Sequence, residues 1–160
     1  VMLVSHDRDE VYRLSDIVAV MNDGHIEVID EKSRVFSDPR TVNGALLTGY
    51  RNISAVRPSG EGKVYAIDWD AELEVCGDPS GAGYIGARTQ SVVLGGTENI
   101  IKCRVVEVIK NPFSYTVMVS PEKDTKGVRF EITVSKPKWE LSKGSSVIVS
   151  IPKESIVLLK

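Results

Sequence analysis

Ser5, His6 and Asp7 stand side by side at the end of the apolar run from Val1 to Val4. They are the residue types that supply a nucleophile, a general base and an orienting carboxylate in hydrolases. Consecutive residues of an extended chain point to alternate sides, so the three do not converge on one reacting atom, and a phosphoesterase built on them fails on geometry. A different task suits His6. An apolar strand that delivers polar residues at its carboxyl end belongs in a parallel sheet, where ligands bind just beyond the strand ends. His25 lies in a hairpin position and reads as an ordinary surface or core histidine. The two cysteines, Cys76 and Cys103, have no Cys-x-x-Cys spacing and no histidine nearby. They read as small buried residues in a reducing compartment rather than metal ligands, and no metal site is expected.

The elements needed to position these residues fall into two parts. Val1 to Val4 reads as a strand, Arg8 to Leu14 as a short helix capped by Asp7, and Ile17 to Met21 as a second strand. Asn22-Asp23-Gly24 is a tight turn that pairs it with Ile26 to Ile29, because Asp-Gly between two apolar runs favours a hairpin. Ser33 to Ser37 and Thr41 to Leu47 read as short helices separated by Asp38-Pro39 and ended near Gly49. The cluster Arg57-Pro58-Ser59-Gly60-Glu61-Gly62 reads as a break. Beyond it come short strands: Lys63 to Trp69, Glu72 to Cys76, Gly83 to Ala87, Ile100 to Ile109, Tyr115 to Val119, Val128 to Val134, Val147 to Ile151 and Ile156 to Leu159. Their close spacing and turn punctuation predict a small β-barrel of the five-stranded oligonucleotide/oligosaccharide-binding (OB) type. The expected fold class is thus an α/β fragment over residues 1–56 followed by an all-β, OB-like barrel over residues 57–160.

Composition narrows the function classes. The 160 residues are 42% hydrophobic, enough for a real core. Twenty basic residues against 22 acidic ones give a net charge of −2, which disfavours the electrostatic footprint of a nucleic-acid binder. A nucleic-acid-binding OB-like barrel, a distant alternative resting on Ser135 to Trp139, would bind single strands with strong salt dependence. Trp69, Trp139, Phe113 and Tyr115 read as packing in a core or interface, and the Lys123 to Gly127 stretch as a solvated hairpin loop. Neither a signal peptide nor an apolar run of about 18 residues is present.

Several spaced residues carry a family resemblance. Val1 through Ile26, with Glu10, Ser15-Asp16, Met21 and Gly24-His25-Ile26 in place, and on through Phe36-Ser37-Asp38-Pro39, resembles an ABC-transporter ATPase from its switch-histidine strand onward. On this resemblance the chain is the carboxyl-terminal piece of a larger protein. His6 would contact the γ-phosphate of ATP across a dimer interface, with Ser5 and Asp7 shaping the nucleotide-facing turn. No Gly-x-x-x-x-Gly-Lys-Ser/Thr loop and no Ser-Gly-Gly signature occurs in the sequence, so the fragment alone is expected to be catalytically silent. ATP and Mg²⁺ would be bound by the full-length parent, an ATP-hydrolysing transport ATPase.

The second part resembles the transport-associated barrel (TOBE/MOP-like) of ABC importers. Tyr84-Ile-Gly-Ala-Arg88 matches an "Ile-Gly-x-Arg" strand, and Glu98 to Val105 the strand opening the molybdate-binding barrel. Lys143-Gly144 and Ile151 to Leu159 match its last strands, and Thr48 to Ser54 the linker of molybdate-importer ATPases. The resemblance implies molybdate or tungstate as regulatory ligand. Its binding candidates are Thr97, Asn99, Lys153 and Ser155, where molybdate barrels carry Ser-Ala-Arg-Asn and a Lys followed by Ser/Thr. Glu98 and Glu154 depart from that pattern, since a carboxylate beside a dianion is repulsive. Arg88 and Arg104 are alternative cationic partners, with solvated surface positions as their default. An ATPase subunit importing sugars, polyamines or other anions, with a purely structural barrel, is the alternative. The expected partners are a second copy in a homodimer and a membrane permease subunit, with no nucleic acid. The expected location is cytoplasmic, at the inner face of the cell membrane. Met2, Leu3, Val4, Ile17 and Val20 are expected to leave apolar surface that self-association covers.

Overall fold

A computed structural model describes residues 1–136 and 140–160. Trp139 and its two predecessors, part of the stretch considered for packing and for nucleic acid, lie outside the described residues.

The first part forms a small layer of its own. Helix α1 (Arg8–Leu14) leads into β1 (Ile17–Asn22), which pairs antiparallel with β2 (His25–Glu31). The turn between them has positive φ at both Asp23 (48°) and Gly24 (79°), the backbone that suits a two-residue hairpin and that Asp-Gly tolerates. Helix α2 (Lys32–Ser37) lays Val35 on Val20 and Val28. Helix α3 (Val42–Leu47) starts at Thr41, whose hydroxyl accepts the Gly44 N–H at 3.0 Å. Val1 to Val4 is not a strand. These residues are exposed and lack a ladder partner, and an extended segment without a neighbour has nothing to bond its N–H and C=O groups to.

Twelve strands are present among the described residues, and ten of them build two five-stranded sheets. One sheet has the order β12-β6-β3-β4-β5, from β3 (Tyr50–Gly60), β4 (Lys63–Ala66), β5 (Ala71–Glu74), β6 (Tyr84–Arg88) and β12 (Val157–Leu159). The other has the order β10-β9-β8-β11-β7, from β7 (Val93–Leu94), β8 (Ile100–Lys110), β9 (Tyr115–Pro121), β10 (Phe130–Val134) and β11 (Ser146–Ser150). The chain leaves the first sheet after β6, builds the second, and returns as β12 to pair with β6. The long strands serve two neighbours each. β3 pairs with β6 through its first half and β4 through its second, and β8 does the same with β11 and β9.

Arg57 to Gly60, read as a break, is the end of β3, and Glu61-Gly62 is the hairpin turn into β4. The cause is visible on the strand. Its inward positions Asn52 and Ser54 are polar yet buried, which erases the apolar alternation by which strands are read. β7 was likewise not expected. The remaining barrel strands appear close to their expected places, with ends shifted by at most three residues.

Both sheets face one core. Val64, Ala66, Trp69, Leu73, Ile85 and Ala87 from the first sheet and its turns meet Cys103, Val105, Val117, Val119, Phe130, Ile132 and Val149 from the second. Two asparagines rivet the sheets by imitating a strand neighbour. Asn52 accepts the Glu131 N–H at 2.7 Å and donates to the Glu131 carbonyl at 2.9 Å. Asn99 does the same to Glu74, at 2.7 and 2.8 Å. Burial pushes the Cys103 thiol up to about 12, helped by Glu122, so it is inert packing. Cys76 corrects the expectation of burial. It lies past the end of β5 and is exposed.

Candidate functional site

Ser5, His6 and Asp7 form a preorganised turn ahead of α1. Asp7 Oδ1 accepts the N–H groups of Asp9 (2.9 Å) and Glu10 (3.1 Å), capping two donors that the helix cannot satisfy itself. Those bonds, that of Glu10 first, hold its carboxyl below the usual aspartate range. A carboxyl with a depressed folded-state pKa favours the folded turn above the unfolded value, and that contribution fades as pH falls through the folded one. Ser5 Oγ accepts the Asp7 N–H at 3.1 Å and donates to Glu10 Oε2 at 2.6 Å. His6 is exposed and without a hydrogen bond among the described residues. The turn therefore fixes the backbone around an imidazole left free for an external partner.

Helix α1 buries none of its residues. Its Tyr12 stands edge-on to Phe36 of α2, with centroids 4.9 Å apart. Besides the backbone bonds of Arg40 and Val42 to Lys160 and the cluster of Ala45, Tyr50 and Leu159, Arg88 at the end of β6 joins the first part to the barrel. Its Nη1 donates to the Thr48 carbonyl at the end of α3, and its Nη2 to the Phe36 carbonyl in α2, both at 2.7 Å. The guanidinium also lies over the Tyr50 ring, 4.3 Å from its centroid. Arg88 thus corrects its reading as a solvated position, whereas Arg104 is exposed as expected. The motif Ile-Gly-x-Arg marked the residue, but its acceptors lie 40 and 52 residues away in sequence and carry no local signal. Arg88→Met removes two charge-assisted bonds and the ring contact. It is expected to lower stability by about 3 kcal/mol, and Arg88→Lys to recover little because an ammonium cannot span both carbonyls. Urea denaturation checks this, and a loss below about 0.5 kcal/mol for either variant contradicts the joint.

The four oxyanion candidates do not converge on one vacant pocket. Asn99 has both amide hydrogens engaged, on the Glu74 carbonyl and on that of Ile151 at 3.0 Å, and its φ of 49° is one that asparagine tolerates. The Lys153 N–H donates to Glu98 Oε1 at 3.1 Å, so a carboxylate already sits on that backbone donor. Thr97 is exposed. Ser155 is turned toward a separate groove with Tyr12, Tyr50, Arg88 and Ser91. Among the described residues no group of three or more His, Cys, Asp or Glu side chains is placed to hold a metal. No helix there is long and apolar enough to cross a membrane.

The sequence is similar to those of ATP-binding subunits of ABC importers. A spermidine/putrescine import ATP-binding protein of Bacillus thuringiensis is 39% identical over 61 residues, 38% of this chain and 18% of its own length. Similarity extends along nearly the whole chain in two others. An Fe(3+) ions import ATP-binding protein of Rhizobium meliloti is 23% identical over 98% of this chain and 44% of its own length. An sn-glycerol-3-phosphate import ATP-binding protein of Rhodopseudomonas palustris is 28% identical over 95% and 39%. The chain spans less than half the length of these relatives. Among solved structures, the cytoplasmic molybdate-binding protein ModG in its molybdate-bound form superposes with a TM-score of 0.54 at 15% identity, over 69% of this chain and 97% of ModG. That likeness is one of fold. No family model matches the chain.

Proposed function

We propose that this chain is the carboxyl-terminal portion of the ATP-binding subunit of an ABC importer. The observation that carries the reading is similarity along nearly the whole chain to importer ATP-binding subunits, joined to a free imidazole on a capped turn. In this reading residues 1–56 end the ATPase domain and residues 57–160 form the TOBE/MOP-like regulatory barrel, with β3 and Arg88 binding the two together. His6 offers a hydrogen-bonding imidazole to the γ-phosphate. The rest of the nucleotide and Mg²⁺ site comes from residues outside this sequence, which has no phosphate loop, so this portion alone does not hydrolyse ATP. Bound with Mg²⁺, ATP supplies the phosphoryl group. The exposed Leu3, Ile17, Met21, Ile26 and Ile29 fit burial against the remaining ATPase domain and in a homodimer. A membrane permease is the further partner, which places the protein at the cytoplasmic face of the membrane.

The finer proposal is that the substrate is molybdate or tungstate and that the barrel senses it at the Lys153 end. The ModG-like fold supports it. A second reading, a structural barrel in an importer of another substrate, is favoured by the Glu98 carboxylate on the Lys153 N–H and by the engaged amide of Asn99. Calorimetric titration with molybdate and tungstate, with sulfate and phosphate as controls, separates them. Saturable binding of the first two alone, lost in Lys153→Ala, supports oxyanion sensing. No heat from any of the four, with the protein shown to be folded, assigns the barrel a structural role.

A further inference from the structure

A second place on the molecule is built for negative charge. The cleft between α1 and the end of β6, about 430 Å³ in volume, is lined by Arg8, Arg13 and Arg88 together with Tyr12, Thr48 and Gln90, and by a single carboxylate, that of Asp9. Two of the cations are close neighbours. A Cβ at Gly49 would overlap Arg8 Nη1 and stand 3.2 Å from Arg88 Nη1, so both guanidinium groups flank one point above that glycine. Gly49 is suited to this twice over, through the space it leaves and through a φ of 99° that other residues rarely adopt.

Close ion pairing of these charges is sparse. Asp9 Oδ1 lies 3.8 Å from Arg8 Nε, and no other carboxylate among the described residues comes within 4.0 Å of Arg8, Arg13 or Arg88. Arg88 directs one hydrogen of each Nη at a carbonyl, which leaves three of its five donors. Two facing guanidinium groups repel unless an acceptor with oxygens on both sides sits between them, and a tetrahedral dianion meets that geometry.

We propose that this cleft binds a tetrahedral oxyanion, free or as the terminal phosphate of a larger ligand, bridged between Arg8 and Arg88 with Arg13 at its rim. The cleft shares Tyr12, Phe36 and Arg88 with the groove that Glu154 and Ser155 line, but Lys153 lines neither, and the proposal does not depend on the importer reading. An occupant ties α1 to the barrel. It thereby restrains the turn that carries His6, two residues before Arg8.

The test is a titration of the protein with inorganic phosphate, sulfate, molybdate and ADP at constant ionic strength set with chloride. The expected result is saturable binding of at least one of these, weakened tenfold or more in Arg8→Gln and Arg13→Gln, both exposed positions whose substitution leaves folding intact, and unchanged in Lys153→Ala. Binding of ADP without the inorganic anions supports the site and identifies the ligand as a phosphate ester. The proposal is overturned if none of the four binds, if binding survives Arg8→Gln, or if only Lys153→Ala removes it, which would instead locate the ligand at the barrel end.

Discussion

Trp69→Ala is expected to cost about 3–5 kcal/mol of stability, the range for removing a large buried aromatic side chain. Trp69 is 2% exposed and sits in the turn after β4, where Asp70 takes a positive φ of 49°. Its ring lies 4.8 Å from that of Phe130 in β10, centroid to centroid, so it reaches from one sheet to the other. Its neighbours Leu73, Phe130 and Ile132 belong to strands fixed by their own ladders and cannot collapse into the vacated space. Most of the cavity therefore remains, and cavities carry a penalty beyond the lost transfer energy. Set against a typical domain stability of about 5–15 kcal/mol, this is a large fraction, and a melting temperature on the order of 10 °C lower is expected. Chemical denaturation monitored by far-ultraviolet circular dichroism gives the value. A loss below about 1 kcal/mol would contradict the single core shared by the two sheets.

Local chemistry made part of this fold readable from the sequence alone. Asp7 as a cap, Asp23-Gly24 as a hairpin turn and the apolar strands β8, β9 and β11 follow from short-range rules, and the structure has them. What escaped depends on partners distant in sequence. β3 was hidden because Asn52 and Ser54 face inward, where they bond Glu131 of β10 and the backbone near Asp68. An inward polar residue looks like a loop until its partner is known. Val1 to Val4 has strand composition, but a ladder requires a neighbour. Cys76 has apolar neighbours in sequence yet falls beyond the last paired residue of β5.

The site was legible to a similar degree. Ser5-His6-Asp7 was identifiable as a unit because the cap and the exposed imidazole are local. The oxyanion candidates were placed by likeness to other barrels; in the structure Asn99 clamps β5, and Glu98, a departure from that likeness, takes the Lys153 N–H. Arg88 was noticed as a cation and proved to be a joint, because the acceptors that define its role are main-chain carbonyls, which no side-chain pattern reveals.

On the proposed importer reading, His6→Ala in the full-length protein is expected to reduce kcat for ATP hydrolysis by roughly 100- to 1000-fold, the size of effect seen when one preorganised transition-state contact is removed. The side chain makes no contact that the fold needs: it is exposed, and the turn around it is held by Asp7 and Ser5. Nucleotide affinity and thermal stability should therefore stay close to those of the unmodified protein, which separates a role in hydrolysis from one in folding. Asp7→Ala provides the contrast. It removes the cap and so lowers stability and loosens the turn while leaving the imidazole in place.

Steady-state ATP hydrolysis by the full-length protein and its His6→Ala variant, with nucleotide binding measured in parallel, tests the central claim most directly. The account predicts a hydrolysing parent, a variant that binds ATP but turns it over at no more than about 1% of the parent rate, and unchanged melting. A variant that hydrolyses ATP at the parent rate, or a full-length protein that neither binds nor hydrolyses ATP, would contradict the assignment of residues 1–56 to the end of an importer ATPase domain.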